Sequence, residues 1–114
     1  MQDNIHSNCT PQELAEKRQQ DDGGFLLLDV RSDQELELAA LHPCKHIPLH
    51  ELQERVAEIA AWRDKEVICL CHHGIRSATA RNFLAAEGFT HARNLAGGID
   101  AYALDIDPDL PRYL

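Results

Sequence analysis

Short unbroken apolar runs that alternate with amphipathic segments constrain this 114-residue chain more than any other feature. Phe25-Leu26-Leu27-Leu28-Asp29-Val30 is one such run and Glu66-Val67-Ile68-Cys69-Leu70 is another. A strand solvated on one face alternates polar with apolar residues, so a run without alternation reads as a strand covered on both faces. Helical segments lie between the runs. Thr10 reads as an N-cap, with Pro11 at the first position and Glu13 at the third, opening a helix to Gln20. Asp21-Asp22-Gly23-Gly24 then turns the chain. Ser32 or Asp33 caps a short helix through Leu38. Leu52, Val56, Ile59 and Ala60 give the stretch from Leu49 to Trp62 a helical spacing. Arg76 to Ala86 reads as a helix ended by Gly88. Cys44 to His46 fits a short strand, His91 to Leu95 a last strand and Gly98 to Leu104 a last helix. This alternation predicts an α/β fold: a small central, largely parallel β-sheet of about four or five strands flanked by helices on both faces.

The length fits a single domain over residues 1–114, large enough to bury one core. A hydrophobic content of 44% and a charged content of 26% are those of an ordinary globular chain. The net charge of −8 argues against nucleic acid as a partner, because no basic surface is available to displace counterions from phosphates. Met1 to His6 has neither a basic nor an apolar leader segment, and no run approaches a membrane span, so no membrane partner and a cytoplasmic location are expected. In that setting Cys9, Cys44, Cys69 and Cys71 are expected as reduced thiols. Cys69 and Cys71 lie two apart, on one side of a strand and too close for an unstrained disulfide.

The chemistry points to Cys71. It opens the segment Cys71-His72-His73-Gly74-Ile75-Arg76-Ser77, between an apolar strand and an amphipathic helix. Ligands of parallel α/β sheets sit beyond the carboxyl ends of the strands. A loop there turns its N–H groups and the positive end of the helix toward the sulfur, favouring thiolate over thiol. The same concave cradle of amides binds an oxyanion or a sulfur anion. A cysteine that only packs has no need of Gly74 for a tight turn, or of Arg76 at a helix start directly behind it. Arg31, at the end of the other apolar run, is expected as a neighbour of the site.

The segment resembles the active-site loop of the rhodanese family of sulfurtransferases. Leu27-Leu28-Asp29-Val30-Arg31 is similar to that family's strand end, and His46-Ile47-Pro48-Leu49 to its His-Ile-Pro-Leu segment. Asn94-Leu95-Ala96-Gly97-Gly98-Ile99 resembles its double-glycine turn. Asp107-Pro108-Asp109-Leu110-Pro111-Arg112-Tyr113 resembles a tail of some bacterial single-domain members. In order and spacing these cover the chain from about Thr10 to its end. One stretch departs: Ala39-Ala40-Leu41-His42-Pro43-Cys44 stands where many relatives carry a glycine-containing segment.

The resemblance implies a rhodanese-type sulfurtransferase. Cys71 attacks the outer sulfur of a small sulfur-containing anion such as thiosulfate, holds it as a persulfide, and passes it to cyanide, a thiol or a protein. Substrate binding falls to His72, His73, Gly74, Ile75, Arg76 and Ser77, with Arg31 beside them. Loop length separates this from phosphate-ester chemistry: four residues lie between Cys71 and Arg76, whereas the family's phosphatase relatives place five. A phosphatase or arsenate-reductase-like enzyme is therefore disfavoured, and an intact cysteine loop counts against a non-catalytic rhodanese-like binding module. Between Cys71 and Asn94, Arg76, Arg81 and Arg93 stand against the single acid Glu87, and Arg76 is expected to meet the anionic donor.

His72 and His73 are expected at the rim, where partial positive charge attracts that donor. Adjacent ligands in Cys71-His72-His73 are poorly spaced for tetrahedral zinc. His42, His46 and His50 recur every four residues, but Pro43 and Pro48 rule out the helix that would align them. Neither a metal nor an organic cofactor is expected.

Overall fold

The computed structural model describes residues 7–20 and 24–114. Its elements are β1 (Asn8–Cys9), α1 (Pro11–Gln20), β2 (Phe25–Asp29), α2 (Asp33–Leu38), β3 (Lys45–His46), α3 (Leu52–Arg55), β4 (Glu66–Leu70), α4 (Ile75–Ala86), β5 (His91–Leu95) and α5 (Gly98–Asp105). The five strands form one sheet in the order β1-β5-β4-β2-β3, with every neighbouring pair parallel. β4 lies at the centre, between β2 and β5. The loop after it therefore opens in the middle of the sheet's carboxyl edge.

Side chains of the central strands divide between two cores. Leu28, Val30, Val67, Cys69, Cys71 and Ala92 point to one face and pack with Leu52, Ile59, Ala80 and Leu84. Leu27, Ile68, Leu70 and Leu95 point to the other and pack with Leu14, Ile99 and Tyr102. Strict alternation along β2 and β4 feeds both cores, so these strands can be apolar throughout. No helix among the described residues is long and apolar enough to cross a membrane.

Local chemistry sets the element ends. Thr10 and Glu13 form a reciprocal capping box at 3.1 Å in each direction, which starts α1 where the sequence places it. Ser32 caps α2 through the same arrangement with Glu35. Gly88 adopts φ 93°, and the Phe89 N–H closes back on the Leu84 carbonyl at 3.0 Å, ending α4. Asp21, Asp22 and Gly23, read as the turn after α1, lie outside the described residues, as do Met1 to His6.

Two elements differ from expectation. The stretch 49–62 is not one α-helix. Three-ten turns at Leu49–Glu51 and Val56–Trp62 flank the single α-turn of α3, with a break at Ile59 (φ −116°, ψ 17°). Apolar residues three and four apart suit a three-residue period as well as a 3.6-residue one, so the spacing did not discriminate. β1, just before the Thr10 cap, is the other: two residues carry no pattern of their own, and pairing with β5 makes them a strand.

Candidate active site

Cys71 follows β4 directly and is only 1% exposed. Its sulfur lies at the floor of a cradle formed by the turn into α4. The Gly74 N–H donates to Sγ at 3.1 Å, the Ser77 N–H at 3.3 Å, and the Ser77 hydroxyl lies 3.3 Å from it. These are the contacts that a sulfur anion requires and that a buried thiol used only for packing does not.

Gly74 makes the turn possible. Its φ of 102° is left-handed, and a Cβ there would press on the Gly97 N at 3.3 Å. The double glycine acts from outside the loop. Gly98 also has a left-handed φ of 67°; a Cβ on it would overlap the His72 carbonyl and stand 2.6 Å from the Cys71 carbonyl oxygen. That close approach lets the first amides of α5 take the loop's carbonyls: the Ile99 N–H binds Cys71 O at 2.8 Å and the Asp100 N–H binds His72 O at 3.1 Å. With the carbonyls held outward by α5, the loop's N–H groups can face the sulfur.

Asn94, on β5, completes the floor. Its Nδ2 donates to the Gly74 carbonyl at 3.2 Å, which fixes the amide's orientation, and its Oδ1 accepts from the Ser77 hydroxyl. One hydroxyl carries one proton. While it points to Asn94, the Ser77 oxygen can receive the Cys71 thiol proton; when the sulfur is anionic, the hydroxyl can turn and donate to it. Asn94 was seen in the sequence only as part of a turn motif.

Arg76 does not stand free to meet a donor, as the sequence suggested. Its Nη1 and Nη2 donate to the two oxygens of Glu35 at 2.6 and 2.7 Å. Glu35 also accepts from the Tyr113 hydroxyl at 2.8 Å and from the N–H and hydroxyl of Ser32. The Arg76 hydrogen bonds, followed by those of Tyr113, hold the Glu35 carboxyl well below the usual carboxylate range. The anion that balances a cation at this helix start is therefore internal.

Arg31, expected beside the substrate, is instead fully buried under the site. Residues 29 and 31 share one side of the extended chain, so its guanidinium closes on Asp29 at 2.7 Å, and it also binds Ala39 O and the Tyr113 hydroxyl. His72, expected at the rim, is half-buried. Its ring stacks on Tyr113 (centroids 4.0 Å apart, planes 11° apart), and its buried Nε2 has no hydrogen-bond partner among the described residues. His73 is exposed, with its ring 3.9 Å from that of His72. Ile75 stands 79% exposed at the loop's outer edge.

Burial pushes the Cys69 thiol up to about 12, which disfavours its thiolate. No cluster of metal-ligating residues occurs among the described residues. A cavity of about 410 Å³ between α1 and α5, lined by Phe25, Leu27, Tyr102 and Ile106 together with Arg18 and His42, does not include the loop. A smaller one of about 320 Å³ opens beside Arg76, against Val30, Pro48 and Leu49.

The model of the rhodanese-like domain family matches residues 10–105. The chain belongs to the rhodanese-like domain family. Among relatives of this rhodanese-like chain is a protein of Allochromatium vinosum named sulfurtransferase, 32% identical over 103 residues that cover 90% of each chain. The adenylyltransferase and sulfurtransferase MOCS3-1 of Zea mays is 36% identical over 103 residues. The chain spans only 22% of that protein's length. A rhodanese-related protein of Thermoplasma volcanium has a solved structure that superposes with a TM-score of 0.75 at 30% identity, covering 91% of this chain and 94% of its own.

Proposed function

We propose that the protein is a sulfurtransferase that carries a sulfane sulfur as a persulfide on Cys71. In the first half-reaction the Cys71 thiolate attacks the outer sulfur of a small sulfur-containing anion such as thiosulfate. A new S–S bond forms, the donor's S–S bond breaks, and its electron pair leaves with sulfite. In the second, a thiol, a protein thiol or cyanide attacks the outer sulfur of the persulfide and the Cys71 thiolate departs.

The observation that carries this reading is the convergence of the Gly74 N–H, the Ser77 N–H and the Ser77 hydroxyl on Cys71 Sγ. The two backbone N–H groups are placed in advance, and the Ser77 hydroxyl turns to join them when the sulfur is anionic, so together they stabilise the thiolate that leaves in the second step. The sulfurtransferase names among the relatives support the same class. Four free cysteines fit a reducing, cytoplasmic setting.

The test is a screen of sulfane donors with cyanide as acceptor, following thiocyanate, with wild type and Cys71→Ser side by side. Wild type turns over with at least one donor and Cys71→Ser with none. Substantial turnover by Cys71→Ser would overturn the assignment of the nucleophile.

A further inference from the structure

An acid that the loop sequence does not contain sets the charge at the cradle's mouth. Glu35 lies 41 residues before Arg76 in the chain, on α2, and meets its guanidinium with both oxygens. The carboxylate is only 16% exposed and is fixed from three further directions: the Tyr113 hydroxyl, the Ser32 N–H and the Ser32 hydroxyl. The other guanidinium groups around the loop are matched in the same way, Arg31 by Asp29 and Arg112 by Asp100. Each arginine that borders the site thus has its own carboxylate, within a chain of net charge −8. The cavity beside Arg76 is walled on one side by Val30, Pro48 and Leu49, which gives an organic substituent apolar surface, and carries Ser32 and His50 besides.

We propose that Glu35 is a positioning residue that sets donor specificity: by holding Arg76 in a bidentate pair it turns the site away from dianionic thiosulfate and toward organic sulfane-sulfur donors of single charge, such as thiosulfonates and hydropersulfides. This rests on the Cys71 persulfide reading. The chemistry balances for both classes. With thiosulfate, the Cys71 thiolate takes the outer sulfur and sulfite leaves. With a thiosulfonate, the same bond forms and a sulfinate of single charge leaves with the electron pair; with a hydropersulfide, the donor's S–S bond breaks and its thiolate leaves.

Methanethiosulfonate replaces one oxygen of thiosulfate by a methyl group and removes one negative charge, so the pair isolates charge from shape. At a pH well above about 6.5, where an ordinary imidazole is neutral, kcat/KM is measured for both donors in wild type and Glu35→Gln. Removing a charge beside the donor's binding place acts in proportion to the donor's own charge. Glu35→Gln is expected to gain roughly ten-fold with thiosulfate and about three-fold with methanethiosulfonate, and Glu35→Asp to restore the wild-type ratio. Equal changes for the two donors, or a selective loss of thiosulfate, would overturn the proposal.

A second measurement needs no variant. Wild-type kcat/KM for thiosulfate should rise or stay level as ionic strength increases, because only the chain's overall negative field is being screened. A steep fall would reveal a free cation at the mouth and contradict the inference. If neither donor delivers sulfur to Cys71, the persulfide reading itself fails. If both deliver and the ratio ignores Glu35, only the specificity role is lost.

Discussion

The Ser77 hydroxyl lies 3.3 Å from the Cys71 sulfur, as far from it as Ser77's own backbone N–H. One residue thus brings two donor groups to the nucleophile, its N–H and a hydroxyl whose one proton goes either to the sulfur or to Asn94.

Ser77→Ala should slow sulfur uptake by Cys71 about ten- to a hundred-fold, the effect of one hydrogen bond to a charged group at roughly 1.5–3 kcal/mol. It should also cost about 1–3 kcal/mol of stability, because the buried Asn94 Oδ1 is left without its donor. Single-turnover mass spectrometry and denaturant unfolding separate the two effects. An unchanged uptake rate with lowered stability would confine the hydroxyl to supporting Asn94.

Cys69→Ser and Cys71→Ser should part company. Cys69 lies in the core on the α4 side of the sheet, so its serine variant should lose about 1–3 kcal/mol through an unpaired hydroxyl and still take up sulfur. Cys71→Ser should melt like wild type and take up none. Sulfur uptake that fails in Cys69→Ser alone would mean that the wrong thiol has been assigned.

Glycine substitutions distinguish strain from function. Gly88→Ala places a Cβ at left-handed φ with its nearest neighbour 3.9 Å away, and should cost about 1 kcal/mol with activity retained. Gly98→Ala drives a Cβ into the His72 carbonyl, so the backbone that aims the loop must move. It should lose more stability and most of its activity. Full activity in Gly98→Ala would show that α5 does not hold the loop.

Arg76→Ala leaves the Glu35 carboxylate facing the mouth without its cation. Thiosulfate kcat/KM should fall about ten-fold, and adding Glu35→Gln should recover most of the loss, a coupling that a double-mutant cycle measures. Additive losses would mean that the two side chains act separately.

Acid stability follows from the same pair. Because Arg76 and Tyr113 depress the folded-state value of Glu35, its contribution is complete above the unfolded value of about 4.3 and is lost as pH falls below it. Between about pH 5 and pH 2, unfolding free energy should decline more steeply in wild type than in Glu35→Gln. Parallel curves would show that the pair adds nothing to folding.

Much of this site was legible because it is local. The run Glu66–Leu70, the glycine of the turn and the helix behind it are consecutive, and each carries its own pattern. The capping boxes of Thr10 and Ser32 are equally short-range. What the sequence hid is long-range pairing. Nothing near Arg76 points to Glu35, and nothing near His72 points to Tyr113 at the end of the chain. The Ser32–Glu35 spacing was the available signal, but it speaks for a helix cap, not for a partner of the loop. Arg31 was misplaced for the converse reason: a strand end marks the carboxyl edge of the sheet, yet Asp29 two residues earlier draws the side chain inward.

Whether Cys71 carries sulfur is read from the intact mass of the reduced protein before and after exposure to a sulfane-sulfur donor. A gain of one sulfur atom is expected, located by peptide mapping on Cys71 and removed by cyanide or a thiol reductant. No gain with any donor, or a gain located on Cys9, Cys44 or Cys69, would contradict it.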